Sequence, residues 1–366
     1  MSDFAKELMA DVNKTFGYEI SSRMEDGSPS DVETFISTGS TLLDYIVSNQ
    51  RGGGIPVGKV TEISGLEGTG KTLLAMQICA NTQKMGGLPI FIDTENAFQT
   101  DFAKRVGLDP TKNFLYAAPV TVEDVFKYIF AVLKKLDDKK SSTDYKFVTV
   151  VWDSVAATPP AIDISEENPD PTSSMALKPR ILSKNISTLL RSTGRAKVAL
   201  LFLNQLRTNL KATPWMDQYV TPGGKAIPFA SSVRVRLLSK GKVKAGDQVV
   251  GINTRAKCVK TRFGPPHREC IFPIYFTHGV DDTESILTLL VDNKTITKRA
   301  GGSAGNKYAF KDEPKEAGLN RVEFKKRIKN DKAAVEKVAD LVEEAMKTSM
   351  INPEEISIEI VEDSEV

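Results

Sequence analysis

Apolar positions in the middle of this chain follow two periods in alternation. Pro89 to Asp93 (PIFID), Phe147 to Trp152 (FVTVVW) and Lys197 to Leu203 (KVALLFL) are near-continuous apolar runs rich in β-formers. Runs of that kind suit parallel strands covered on both faces. Between the first two, Val122, Val125, Phe126, Ile129, Leu133 and Leu136 keep a helical period. Thr121 precedes that stripe as an N-cap, with Asp124 three residues on. Upstream, Lys59 to Ser64 alternates like a strand, and Leu73 to Gln83 contains no Gly or Pro and is rich in helix formers. Strands alternating with helices predict an α/β fold, a mainly parallel twisted sheet flanked by helices.

The ends of the chain depart from this pattern. In residues 1–34, Phe4, Leu8, Val12 and Phe16 form one helical stripe, followed by a polar linker from Ser21 to Asp31. So short a segment cannot bury its own stripe, which needs the core or a neighbouring subunit. Beyond about residue 280 the chain becomes lysine-rich, and Val335, Val338, Ala339, Val342 and Met346 mark a helix over 333–346. We read 35–280 as the core, 281–353 as a small α+β C-terminal domain, and 354–366 as an acidic tail. Two stretches of the core fit no regular element: Pro159 to Pro171, with four prolines, and residues 208–224, which carry Trp215 and Tyr219. Loops this long inside a domain are usually functional or disordered.

Charge changes the picture more than composition does. The net charge is +2, yet the last thirteen residues hold six acids and no base. The rest, with all 49 bases and 41 of the 47 acids, stands at +8. Arg234 to Arg262 holds nine bases against the single acid Asp247. That asymmetry points to a polyanion partner screened by an acidic tail, or to solvated charge on exposed strands. Cys79, Cys258 and Cys270 are far apart, fit no metal spacing and suit a reducing compartment. No apolar run is long enough to span a membrane, and residues 1–20 have no signal-peptide core. The expectation is a soluble intracellular protein.

The chemistry begins at GLEGTGKT, which is Gly65, Leu66, Glu67, Gly68, Thr69, Gly70, Lys71 and Thr72. It fits the phosphate-binding pattern G-x-x-x-x-G-K-[ST] between a strand and a helix start. Lys71 would reach the β/γ-phosphates of ATP, and Thr72 would ligate Mg²⁺. Asp153, closing FVTVVWD, is a candidate second Mg²⁺ residue; its alternative is a turn or cap residue. Glu95 follows the strand PIFID and is a candidate general base, or an acid placed near a helix N-terminus. Gln205 ends KVALLFLNQ and leads into the aromatic loop, where its amide could sense the γ-phosphate.

Taken in order, these segments resemble the RecA recombinases. FISTGSTLLD (35–44), GGGIPVGKVTEISGLEGTGKT (52–72), FIDTENAF (91–98), VVWDSVAA (150–157), FLNQLR (202–207), TPGGKAIPFASSVRVRL (221–237) and TRAKCVKTRFGPP (254–266) carry the resemblance. It covers nearly the whole chain and is closest to the bacterial type. The resemblance implies that Glu95 activates water and that Gln205 responds to the γ-phosphate. Lys260 and Arg262 would reach a neighbour's ATP, although Arg262 stands where bacterial RecA has lysine. Phe102 and Phe276 would flank the adenine. The irregular stretches become DNA-binding loops, about 157–175 and 206–225. Ser183, Gly223, Gly224 and Lys225 would contact DNA phosphates, Arg180 matches a family arginine near the first loop, Arg207 is a further DNA-binding candidate, and Arg255 and Lys257 would receive an incoming duplex. Pro214-Trp215 and Tyr219 depart from the family's second loop; Trp215 is the candidate wedge between bases, or packs on a neighbouring loop.

The implied function is an ATP-dependent recombinase of the bacterial cytoplasm, encoded by the host or by a phage. It would form head-to-tail filaments on single-stranded DNA, engage double-stranded DNA for strand exchange, and work with single-strand-binding and mediator proteins. The C-terminal domain would bind duplex DNA, with the tail competing for its basic surface. The competing readings are a ring helicase on the same fold and a non-catalytic ATP-binding mediator. The docking segment and TPGGK loop weigh against the first, and intact Lys71, Glu95 and Asp153 against the second.

Overall fold

A computed structural model describes residues 3–17, 21, 31–138, 144–164, 171–194, 196–209, 218–301 and 305–348. The chain runs α1 (Asp3–Phe16), β1 (Phe35–Ile36), α2 (Thr41–Ser48), β2 (Ile55–Pro56), β3 (Val60–Gly65), α3 (Lys71–Lys84), β4 (Leu88–Asp93), α4 (Thr100–Arg105), β5 (Leu115–Ala117), α5 (Val122–Asp138) and β6 (Val148–Asp153). It continues with α6 (Pro171–Thr193), β7 (Val198–Gln205), β8 (Arg207–Thr208), β9 (Tyr219–Val220), α7 (Ala226–Ala230), β10 (Val233–Ala245), β11 (Gln248–Thr261), β12 (Glu269–Tyr275) and β13 (Gly279–Val280). The last part holds α8 (Asp282–Asp292), β14 (Ile296–Arg299), β15 (Lys307–Phe310), β16 (Leu319–Asn320), α9 (Arg321–Asn330) and α10 (Lys332–Thr348).

The main sheet has nine strands in the order β13-β12-β11-β10-β3-β7-β6-β4-β5. From β10 to β5 every pairing is parallel, while β11, β12 and β13 extend the sheet antiparallel. The unbroken apolar runs follow from burial on both faces. Ile90, Ile92, Val150, Trp152, Leu200 and Phe202 point to a cluster under α5 and α6, whereas Phe91, Val151, Ala199, Leu201 and Leu203 join the opposite one. Trp152 meets Phe126 and Phe202 edge to face, with ring centroids 5.6 and 5.5 Å away. The second cluster continues without a break through Leu287, Leu290, Phe310, Phe324, Val338 and Val342, so β14–β16 and α8–α10 are packed onto the core.

Two elements differ from the sequence reading. The first irregular stretch ends at Pro171 as expected, after a 3₁₀ turn over Ala161–Asp163, but α6 begins there and so overlaps the end of the loop expected over about 157–175. Proline suits a helix's first position, so the last proline of that run opens an element instead of barring one. The buried stripe of α6 (Leu182, Ile186, Leu189) is diluted by Ser, Thr, Asn and the internal Pro179, which hid its period. In α1 no residue is buried, and Phe4 and Leu8 are 72% and 52% exposed, as the stripe's lack of a local partner foretold.

The FISTGSTLLD segment is built around Asp44. Its carboxylate accepts from the Ser37 hydroxyl (2.6 Å), the Thr38 N–H (2.7 Å) and the Thr38 hydroxyl (2.6 Å). Burial pushes its pKa up to about 7, with these bonds opposing. The folded protein therefore keeps a proton that the unfolded chain releases above about pH 4, so stability falls as pH rises from 4 to 7. Thermal melts across that range should show a shallower decline for Asp44→Asn than for the wild type.

Candidate nucleotide site and its surroundings

Four strands end within two residues of one another along the sheet. Gly65 lies opposite Gln205, and Asp93 opposite Asp153. Ligands bind beyond the carboxyl ends of such parallel strands. The loop after β3 enters α3 through Gly70, at φ 87, with no side-chain cap on the helix. A Cβ on Gly70 would lie 2.6 Å from Ile274 Cδ1, so only glycine fits. The first-turn N–H groups and the positive end of the helix dipole are thus left facing the crevice, an anion cradle.

Lys71 Nζ donates to the carbonyls of Gly65 (3.0 Å) and Leu66 (2.9 Å). Burial lowers its pKa, opposed by Asp153, Glu95 and Glu67. The Thr72 hydroxyl donates to Asp153 Oδ2 at 2.7 Å. Burial raises Asp153 to about 6; the Thr72 bond opposes this, and Glu95 and Asp93 add to it. A hydroxyl touching a carboxylate beside a phosphate cradle suits Mg²⁺: Thr72 could ligate the ion directly and Asp153 through its water.

Asp93 has a different task from its neighbour Asp153. It accepts the N–H groups of Glu95 (3.1 Å), Ala97 (3.3 Å) and Phe98 (2.9 Å), and the Tyr116 hydroxyl (3.1 Å). These bonds shape the turn that presents Glu95 in the crevice. Glu95 Oε1 accepts from the Ser154 hydroxyl and from Gln205 Nε2, the latter at 3.4 Å. The structure thus brings Lys71, Thr72, Glu95, Asp153 and Gln205 together. Ser154 and Asp93 were not singled out from the sequence, although both lie inside the quoted motifs. Phe102 is partly buried against the core, and Phe276 just after β12 is 40% exposed.

Lys260 and Arg262 are not part of this cluster. Thr261 pairs with Val233, which pairs with Thr61, four residues before Gly65. That places them roughly 13 Å down the sheet from the cradle of their own chain. Lys260 Nζ donates to the carbonyls of Pro228 (2.9 Å) and Phe229 (3.1 Å), beside the 71% exposed Phe229 ring.

A family model described as the RecA N-terminal domain matches residues 4–281. The chain belongs to the RecA family. It is 32% identical over 335 residues to a protein from Chlorobium chlorochromatii named Protein RecA, covering 92% of this chain and 88% of that one. A Protein RecA from an Azoarcus species is 34% identical over 299 residues, covering 81% of this chain and 82% of the relative. The fold and the recombinase function are therefore those of RecA. No helix among the described residues is long and apolar enough to cross a membrane.

The candidate DNA residues fall into two places. Arg180 and Ser183 are exposed one turn apart on α6. Against the same helix lie Gly223 (φ 97) and Gly224 (φ 75), where a Cβ would meet Leu182 Cδ1 at 2.8 Å and Pro179 Cβ at 3.3 Å. Exposed Lys225 follows them. Arg207 opens a short ribbon in which it pairs with Val220, and Thr208 with Tyr219. Arg255 and Lys257 stand apart on β11, each 3.3 Å from Glu269, an acid the sequence reading passed over. The nine-base tally also overstated the available charge, because Arg234 is spent on the fully buried Glu62 at 2.6 Å. Trp215, residues 165–170 of the first loop and the acidic tail lie outside the described residues.

Glu95→Gln should bind a non-hydrolysable ATP analogue as the wild type does, while phosphate release falls by at least about 100-fold. Undiminished turnover would reject Glu95 as the base.

Proposed function

We propose that this chain hydrolyses ATP with Mg²⁺ in a DNA-dependent manner and polymerises head to tail on single-stranded DNA. The filament then catalyses pairing and strand exchange with a duplex. The observation that carries this reading is the convergence of Lys71, Thr72, Asp153, Glu95 and Gln205 at one sheet edge, with Lys260 and Arg262 far from it in the same chain.

The chemistry is an in-line attack of water on the γ-phosphorus. A water–phosphorus bond forms, the β–γ bridging bond breaks, and the water's proton passes to Glu95. The Ser154 and Gln205 bonds both fall on Oε1, so Oε2 would be the oxygen that takes the proton. Lys71 and the first-turn N–H groups of α3 hold the phosphates and offset their charge. Thr72 and Asp153 would hold Mg²⁺, which when bound would supply positive charge against that of the triphosphate. Phe102 and Phe276 bound the adenine, with Phe276 supplied at the chain's surface.

Arg262 and Lys260 serve the neighbour's γ-phosphate, so turnover requires closed subunit contacts. α1 covers its exposed stripe by docking on the next subunit. Single-stranded DNA runs past Arg180, Ser183, Arg207 and the Gly223-Gly224-Lys225 turn, with Trp215 as the wedge. Arg255 and Lys257 receive the incoming duplex, and mediator and single-strand-binding proteins act on the assembled filament. Phosphate contacts of this kind make affinity fall steeply with salt.

Two experiments test the reading. ATPase rate with and without single-stranded DNA, and electron microscopy of the same mixtures, should give stimulated turnover and open filaments, both lost in Lys71→Ala. Closed rings or inert monomers would overturn it. Mixing Glu95→Gln with Arg262→Ala chains should restore up to about a quarter of wild-type turnover, because some head-to-tail interfaces then carry neither lesion. No recovery would show that Arg262 does not act in trans.

A further inference from the structure

We propose that Asn204 is a positioning residue that fastens the returning end of the second DNA loop to the nucleotide site, so that the loop moves with the end of β7. The proposal rests on the reading of residues 206–225 as a nucleotide-responsive DNA loop.

Asn204 is fully buried, next to Gln205 at the end of β7. Its Nδ2 donates to Glu62 Oε1 at 3.1 Å and to the Pro222 carbonyl at 3.2 Å. Both partners are acceptors only, which fixes the amide's orientation and uses both its N–H groups. Its Oδ1 has no partner among the described residues although it is buried.

The partners span the machinery. Glu62 lies three residues before the phosphate loop, and its other oxygen is held by Arg234 Nε at 2.6 Å. Pro222 is the last residue before the Gly223-Gly224 turn on α6. The outgoing end of the same loop is fastened beside it: the Leu206 N–H donates to the Gly65 carbonyl at 3.1 Å, the same oxygen that Lys71 Nζ holds at 3.0 Å. Between these anchors the ribbon Arg207–Thr208 and Tyr219–Val220 closes the loop's neck, with the Asn209 N–H on the Gln218 carbonyl at 2.9 Å. The segment thus leaves and returns within reach of three consecutive residues, Asn204, Gln205 and Leu206. A shift of Gln205 from Glu95 towards a γ-phosphate carries the outgoing strand by covalent continuity. It carries the returning strand through the half-buried bond from Asn204 to the Pro222 carbonyl.

Asn204→Leu keeps the volume and removes both donors. The chain has two tryptophans; Trp152 is fully buried but directly precedes the candidate Mg²⁺ residue Asp153, so the measurement is made in a Trp152→Phe background, where an emission change on adding Mg²⁺ and a non-hydrolysable ATP analogue reports on Trp215. The variant should bind the analogue within about twofold of the wild type, keep its basal ATPase, lose the emission change, and lose at least about tenfold in DNA stimulation. A merely structural role would lower the melting temperature and leave the emission amplitude per bound analogue intact. A wild-type amplitude in the variant overturns the proposal, and so does a wild type that gives no nucleotide-dependent change. Wild-type ATPase without DNA stimulation instead sinks the DNA-dependent reading, while the emission arm still decides on Asn204. Should the leucine variant not fold, Asn204→Ala is judged by the same readouts.

Discussion

Parallel strands held in register are the constraint on which every functional contact here depends. The Thr72–Asp153 bond and the Gln205–Glu95 bond each join a residue at the end of one strand to a residue just beyond another, and they form because β3, β7, β6 and β4 stop within two residues of one another. A slip of one residue would turn each strand's inward side chains to the other face. Packing forbids it: Trp152 is held between Phe126 and Phe202, and both faces of the sheet are filled. The apolar interior is thus what gives a polar site its precision.

The same sheet edge shows how position divides labour among like groups. Asp93 and Asp153 are register neighbours and both nearly fully buried, at 1% and 3% exposure. Asp93 is consumed by backbone N–H groups of the turn it shapes, whereas Asp153 faces a single hydroxyl and keeps acceptor capacity for a metal's water. The bases divide likewise: Arg234 neutralises a core carboxylate, while Arg255 and Lys257 share Glu269 near the surface. That acid softens the positive strip on β11, so any anion drawn to it would have to compete with Glu269.

Much of this was legible in the chain. The strands 88–93, 148–153 and 198–205 were visible because burial on both faces demands unbroken apolar runs, and α5 because its stripe is clean. GLEGTGKT declared the cradle, since the geometry tolerates so few alternatives. What stayed hidden was long-range. No local pattern says that Glu62 meets Asn204 and Arg234, which lie 142 and 172 residues away. Nor does any say that Glu269 sits between two bases of another strand. The start of α6 was masked for a local reason, proline being read as a breaker where it was an initiator.

The unbroken apolar cluster from the sheet through α8 to α10 bears on how this protein can be dissected. The family model stops at residue 281, but the folding unit does not. Phe310, Phe324, Val338 and Val342 share one interior with Leu43, Ile78 and Phe272. Cutting there would wet both halves of a single surface, at about 25 cal/mol for each Å² uncovered. The half that carries the candidate nucleotide site is therefore not a portable module, and an excised fragment would report on its own wound before it reported on the intact chain.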